Sequence, residues 1–125
     1  MNELKKVLFV EDDTEFQNRI KMFFKADNIL LVSAYDGESG VKMTKEENPD
    51  LILLDLVLPK KEGFKVLEEI KGDTRLSQIP VIILTNLEGS QDIERALSLG
   101  ALAYLVKANY SLSDILDKVK EILQI

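Results

Sequence analysis

Apolar residues fall into short runs separated by stretches with helical spacing, and the alternation persists along the whole chain. Val7, Leu8, Phe9 and Val10 form the first run, short and apolar on both faces as a buried strand is. Phe16, Ile20, Phe23 and Phe24 follow at helical spacing, and Thr14 with Gln17 fits a capping box at the start of that helix. Residues 29–35 predict a second strand, and residues 38–45 a weaker helix because Gly37 and Gly40 lie in or beside it. The turn Asn48-Pro49-Asp50 leads into a third strand, Leu51-Ile52-Leu53-Leu54. Gly63 opens a helix with Val66, Leu67 and Ile70 on one stripe, which Gly72-Asp73 ends. Pro80 begins a fourth strand, where a missing N–H is tolerated, and Val81-Ile82-Ile83-Leu84 continues it. Ile93, Ala96 and Leu97 mark a fourth helix closed by Gly100. Residues 102–106 predict a fifth strand. Leu112, Ile115, Leu116, Val119, Ile122 and Leu123 then give the most regular amphipathic helix of the chain.

This is a (βα)5 pattern. Strands apolar on both faces, alternating with helices, predict an α/β fold: a doubly wound, five-stranded parallel sheet covered on each side. The 125 residues contain no linker, repeat or low-complexity tract, so residues 1–125 are expected to form a single domain with no output domain. No charged–apolar–small leader opens the chain and no apolar run approaches ~18 residues, so the expected address is the cytoplasm, with no membrane partner.

Composition then narrows the chemistry. Histidine and cysteine are both absent, which excludes disulfides, a thiolate nucleophile, a cysteine or histidine zinc site and any Ser-His-Asp triad. A bound metal must be held by oxygen, which leaves magnesium, calcium or manganese. The net charge of −6, from 16 basic and 22 acidic side chains, disfavours direct binding of nucleic acid or anionic membrane. A phosphate-bearing ligand would need a cation in between.

The polar residues are concentrated where the strands end. Glu11, Asp12 and Asp13 follow the first strand, Asp55 the third, Thr85 the fourth and Lys107 the fifth. In an open parallel sheet these ends converge on the edge where ligands bind. Like charges ~4 Å apart repel by about 1 kcal/mol in water and ~4 kcal/mol at an effective dielectric of 20. A hard divalent cation reverses the sign of that interaction. With Lys107 and the Thr85 hydroxyl alongside, the set suits phosphoryl transfer to Asp55. Asp13 reads better as a charge complementing the helix dipole.

VLFVEDD at 7–13, LILLDLVLPKKEG at 51–63, VIILT at 81–85 and GALAYLVK at 100–107 together resemble the receiver (CheY-like) domain of two-component response regulators, in its stand-alone form. The resemblance covers the whole chain. It implies a flavodoxin-like sheet of strand order 2-1-3-4-5, an order that comes with the family and not from the residue pattern. It implies Asp55 as phospho-acceptor, with Asp12, Asp55 and the Val57 backbone carbonyl ligating Mg2+ (or Mn2+) and Glu11 acting through water. Thr85 and Lys107 would contact the phosphoryl group, Tyr104 would be the switch aromatic, and Pro59 and Gly63 match the loop after the acceptor.

The implied function is phosphoryl acceptance from a sensor histidine kinase or phosphotransfer protein, changing the face of the fourth helix, fifth strand and fifth helix for a downstream protein target. The chain would be a monomer or weak homodimer and no enzyme beyond its own phosphorylation and dephosphorylation. Two features depart from the family: Ala108 stands where proline usually follows the lysine, and Asn86 where a small residue follows the threonine. A non-proline cis bond after Lys107 would cost ~2.5–4 kcal/mol. Val57 and Leu87, apolar at positions bordering the path of water to the acceptor, suggest a long-lived phosphoryl group. Two alternatives stand beside it: a haloacid-dehalogenase-type phosphatase, which would need an acid where Val57 stands, and a pseudo-receiver that binds without accepting phosphate. A nucleotide-binding Rossmann module lacks its Gly-rich turn after the first strand.

Overall fold

Five strands and five helices alternate in a computed structural model that describes residues 4–125. In chain order they are β1 (Lys5–Val10), α1 (Thr14–Lys25), β2 (Ile29–Ala34), α2 (Gly37–Glu47), β3 (Leu51–Leu54), α3 (Gly63–Gly72), β4 (Val81–Thr85), α4 (Ser90–Ser98), β5 (Ala103–Val106) and α5 (Leu112–Leu123). All neighbouring strands pair parallel, in the order β2-β1-β3-β4-β5. The flavodoxin-like order implied by the resemblance is therefore the order of the sheet.

Alternation along each central strand builds two cores. Val7 and Phe9 of β1, Leu51 and Leu53 of β3, and Ile82 and Leu84 of β4 face Ile20 and Phe24 of α1 and Ile115, Leu116 and Val119 of α5. The intervening Leu8, Val10, Ile52, Leu54, Val81 and Ile83 face α2, α3 and α4. Each of these strand residues is fully buried, which is why the runs lack polar alternation. Among the described residues no helix is long and apolar enough to cross a membrane.

The elements differ from the sequence expectation at their ends. β2 stops at Ala34 and leaves Tyr35 exposed, while α2 begins at Gly37 and runs to Glu47. The capping box expected at Thr14 and Gln17 does not form. Asp13 caps α1 instead, its carboxylate accepting from the Phe16 N–H at 3.1 Å, and Gln17 turns into the interior. A capping box does form at α5, between Ser111 and Asp114.

The segment after β3 is clamped between two helix starts. A Cβ on Gly63 would lie 2.2 Å from the Asp55 carbonyl oxygen, and one on Gly37 would lie 1.8 Å from the Lys61 carbonyl oxygen. The Gly63 N–H donates to the Leu56 carbonyl at 2.9 Å and the Gly37 N–H to the Pro59 carbonyl at 3.2 Å. These glycines let backbone meet backbone around residues 55–63. Lys60 completes the turn in the left-handed region, at φ 69°.

Gly63→Ala should therefore lower stability by ~1–3 kcal/mol, the usual cost of overpacking. Gly72→Ala, at a helical position with nothing within 4 Å, should raise it by ~0.4–1 kcal/mol. Urea unfolding of the two variants checks the opposite signs.

Candidate functional site

The carboxyl ends of the strands meet at one edge of the sheet. Two backbone bonds extend the ladder beyond β1 and β3: the Glu11 N–H donates to the Ala34 carbonyl at 2.9 Å and the Asp55 N–H to the Val10 carbonyl at 3.0 Å. They carry the acids out in register with the strands. Carboxylate oxygens of Glu11, Asp12 and Asp55 all lie within 4.8 Å of one another. Glu11 and Asp55 are buried and Asp12 is exposed, so the cluster opens to solvent on the Asp12 side.

Lys107 enters from β5. Its Nζ donates to Glu11 Oε1 and, at 3.1 Å, to Asp55 Oδ2. The Phe16 ring lies 5.0 Å from the same nitrogen, near enough for a cation–π contribution. The second Asp55 oxygen accepts from the Val57 N–H at 3.2 Å, and Glu11 Oε2 accepts from the Asp13 N–H at 3.0 Å. Burial pushes the Glu11 carboxyl up to about 7, against the lowering effect of the Lys107 and Asp13 hydrogen bonds. Desolvation works against the Lys107 ammonium. The Glu11 hydrogen bond and the Asp55 charge outweigh it, so its pKa stands above the ordinary value. One ammonium thus bridges two carboxylates.

Thr85 is fully buried at the end of β4 and pairs with Val106, the residue before Lys107. Its Oγ1 accepts a long bond, 3.5 Å, from the Leu87 N–H. Tyr104 is half-buried, and its hydroxyl donates to the Leu87 carbonyl at 2.7 Å. Tyr104 is thus tied to the segment following β4. Val57 is 59% exposed, Leu87 is half-buried and Asn86 is exposed. The Lys107–Ala108 peptide is trans, since no described peptide bond is cis, and Lys107–Asn109 form a 3-10 turn.

The donor set fits a hard cation. Three carboxylates converge, all offering oxygen, and Lys107 reaches two of them while Asp12 faces solvent. Sequence reading missed three residues around this set: Gly37, Phe16 beside Lys107, and Gln17. Gln17 had a visible signal. It lies three and seven residues before the buried Ile20 and Phe24, on the apolar stripe of α1, where a polar side chain needs a partner.

The Response regulator receiver domain family matches residues 7–120. The chain belongs to the response regulator receiver family. It is 38% identical over 104 residues to a probable C4-dicarboxylate response regulator, DctR, of Bacillus subtilis, covering 82% of this chain and 45% of that protein. The receiver spans less than half the length of the curated relatives it matches. It resembles the BeF3-activated N-terminal receiver domain of Klebsiella pneumoniae RstA with a TM-score of 0.88 and 28% identity, covering 97% of this chain and 100% of that one. It resembles the Mn(2+)-bound form of response regulator Rcp1 with a TM-score of 0.81 and 33% identity, covering 97% and 93%. This is a two-component signalling module. Neither the phosphatase nor the pseudo-receiver alternative finds support in these relatives.

The Tyr104 phenol gives a pH test. Burial, with the Asp92 and Asp55 charges adding to it, pushes it up to about 12. An unfolded tyrosine ionises near ~10. The raised folded value means a contribution fully present below pH ~10 and lost as pH rises toward about 12. Urea stability should fall over that window more steeply in wild type than in Tyr104→Phe. Equal slopes would show that the phenol is not shielded.

Proposed function

We propose that this receiver accepts a phosphoryl group on Asp55, from the phosphohistidine of a sensor histidine kinase or phosphotransfer protein. An Asp55 carboxylate oxygen attacks phosphorus, the P–N bond breaks, and the imidazole leaves with its bond pair and takes up a proton. The observation that carries this reading is the convergence of Asp55 with Glu11, Asp12 and Lys107 at the sheet edge. Asp12, Asp55 and the Val57 backbone carbonyl would hold Mg2+ or Mn2+, with Glu11 acting through water. Bound there, the cation would offset the charge that accumulates on the phosphoryl oxygens. Lys107 would shift from the carboxylates to a phosphoryl oxygen, and the Thr85 hydroxyl would donate to another.

The output surface is α4–β5–α5. Ala96 is the buried residue of α4, while Leu97 is 46% exposed, so this helix is lightly anchored and repacks at small cost. Tyr104 is hydrogen-bonded to Leu87, in the segment between Thr85 and α4. A downstream protein target reads that face, in the cytoplasm, without direct contact to nucleic acid. The receiver acts as monomer or weak homodimer, and its only chemistry is its own phosphorylation and dephosphorylation.

With a small-molecule phosphodonor and Mg2+, wild type should form an alkali-labile acyl phosphate, Asp55→Asn none, and Asp12→Ala less at equal Mg2+. Labelling of Asp55→Asn at the wild-type level would overturn the assignment.

Lifetime is tested separately. Val57 and Leu87 offer an attacking water no hydrogen bond, so Val57→Asn with Leu87→Glu should speed loss of phosphate. About tenfold corresponds to ~1.4 kcal/mol of barrier. Decay in the double variant no faster than wild type would remove the basis for a long-lived phosphoryl group.

A further inference from the structure

Gln17 is fully buried beneath the acidic segment. Its two Nε2–H groups are shared among three backbone carbonyls: Phe9 at 2.9 Å, Glu11 at 3.1 Å and Ala34 at 3.1 Å. Its Oε1 has no protein partner, so the amide spends its bonding capacity as a donor. The reverse orientation would set its oxygen against three carbonyl oxygens, which fixes which way it points. Phe9 and Glu11 flank the end of β1, and Ala34 ends β2 and already receives the Glu11 N–H. One side chain therefore ties together the two strand ends from which the acids project.

We propose that Gln17 is a positioning residue for the cation site, holding the Glu11–Asp12 peptide in the orientation that brings the Asp12 carboxylate to Asp55. This rests on the reading that Glu11, Asp12 and Asp55 hold a divalent cation. The Glu11 carbonyl belongs to the peptide leading into Asp12, and its described side-chain partner is the Gln17 amide. Without that donor the Glu11 carbonyl loses this restraint, and Asp12, exposed and with no hydrogen bond of its own side chain among those described, follows any shift of the peptide. Glu11 is held separately by Lys107 and the Asp13 N–H, so the loss should fall on Asp12. Groups that orient metal ligands from behind typically govern 10–100-fold in affinity. A purely structural role would cost stability and leave affinity alone.

The experiment is Mn2+ binding, with free Mn2+ read by electron paramagnetic resonance, on wild type, Gln17→Met and Val66→Ala. Methionine keeps the volume and removes the donor. Val66→Ala destabilises from the core on the opposite face of the sheet. Gln17→Met should bind Mn2+ about tenfold more weakly, with the amide resonances of Asp12 and Asp13 displaced, while Val66→Ala binds as wild type does. Equal affinity in Gln17→Met and wild type would overturn the assignment, as would an equal loss in Val66→Ala. Failure of wild type to bind Mn2+ would overturn the cation site itself and this role with it. Should Gln17→Met not fold, Mg2+ titration of wild type decides, because coupling is reciprocal. The Gln17 side-chain amide signals should shift with the same midpoint as the Asp12 amide, and signals unmoved at saturation would sink the proposal.

Discussion

Glu11, Asp12 and Asp55 repel one another, and the surrounding structure is arranged to contain that repulsion. At separations of a few ångströms each like pair is worth ~4 kcal/mol at an effective dielectric of 20, a sizeable fraction of a domain's ~5–15 kcal/mol of net stability. Lys107 answers it by bridging Glu11 and Asp55. Phe16 packs beside the ammonium, and backbone N–H groups take the remaining oxygens of both acids. Asp12 is left facing water. The arrangement is strong enough to hold the site and incomplete enough to welcome a cation.

Holding the acids in place requires rigid supports behind them. Strands buried on both faces provide these, because moving a strand end would disturb two cores at once. The segment carrying Asp55 is pressed between the starts of α2 and α3 at distances that admit no side chain on Gly37 or Gly63. Stiffness is therefore concentrated around Asp55. On the other side α4 is packed more lightly, with Ala96 as its buried residue. Tyr104 ties β5 to the segment between β4 and α4 through the Leu87 carbonyl.

The departures from the family pattern leave this arrangement intact. Ala108 follows Lys107 through a trans peptide within a 3-10 turn, and the lysine still reaches both carboxylates. Asn86 is exposed and lines a surface cavity with Asp13, Phe16 and Lys107.

Hydrophobic periodicity alone determined the (βα)5 succession and the two-sided burial of β1, β3 and β4, because a parallel strand must be apolar on both faces to be covered on both. The placement of Glu11, Asp55, Thr85 and Lys107 immediately after apolar runs determined the edge where they gather, since strand polarity in a parallel sheet sends every such residue to the same side. Tertiary structure decided the rest. Asp13 displaced Thr14 as the cap of α1 because its carboxylate, on extended backbone, meets the Phe16 N–H, a choice between neighbouring residues that local pattern leaves open. Gly37 looked like a weakness in a helix until Lys61, distant in sequence, was found against it. Gln17 matched a surface motif and lies in the interior, because the carbonyls it satisfies come from two strands brought together only by folding. A hydrogen bond between distant segments leaves no period in the chain, and only the packed structure shows it.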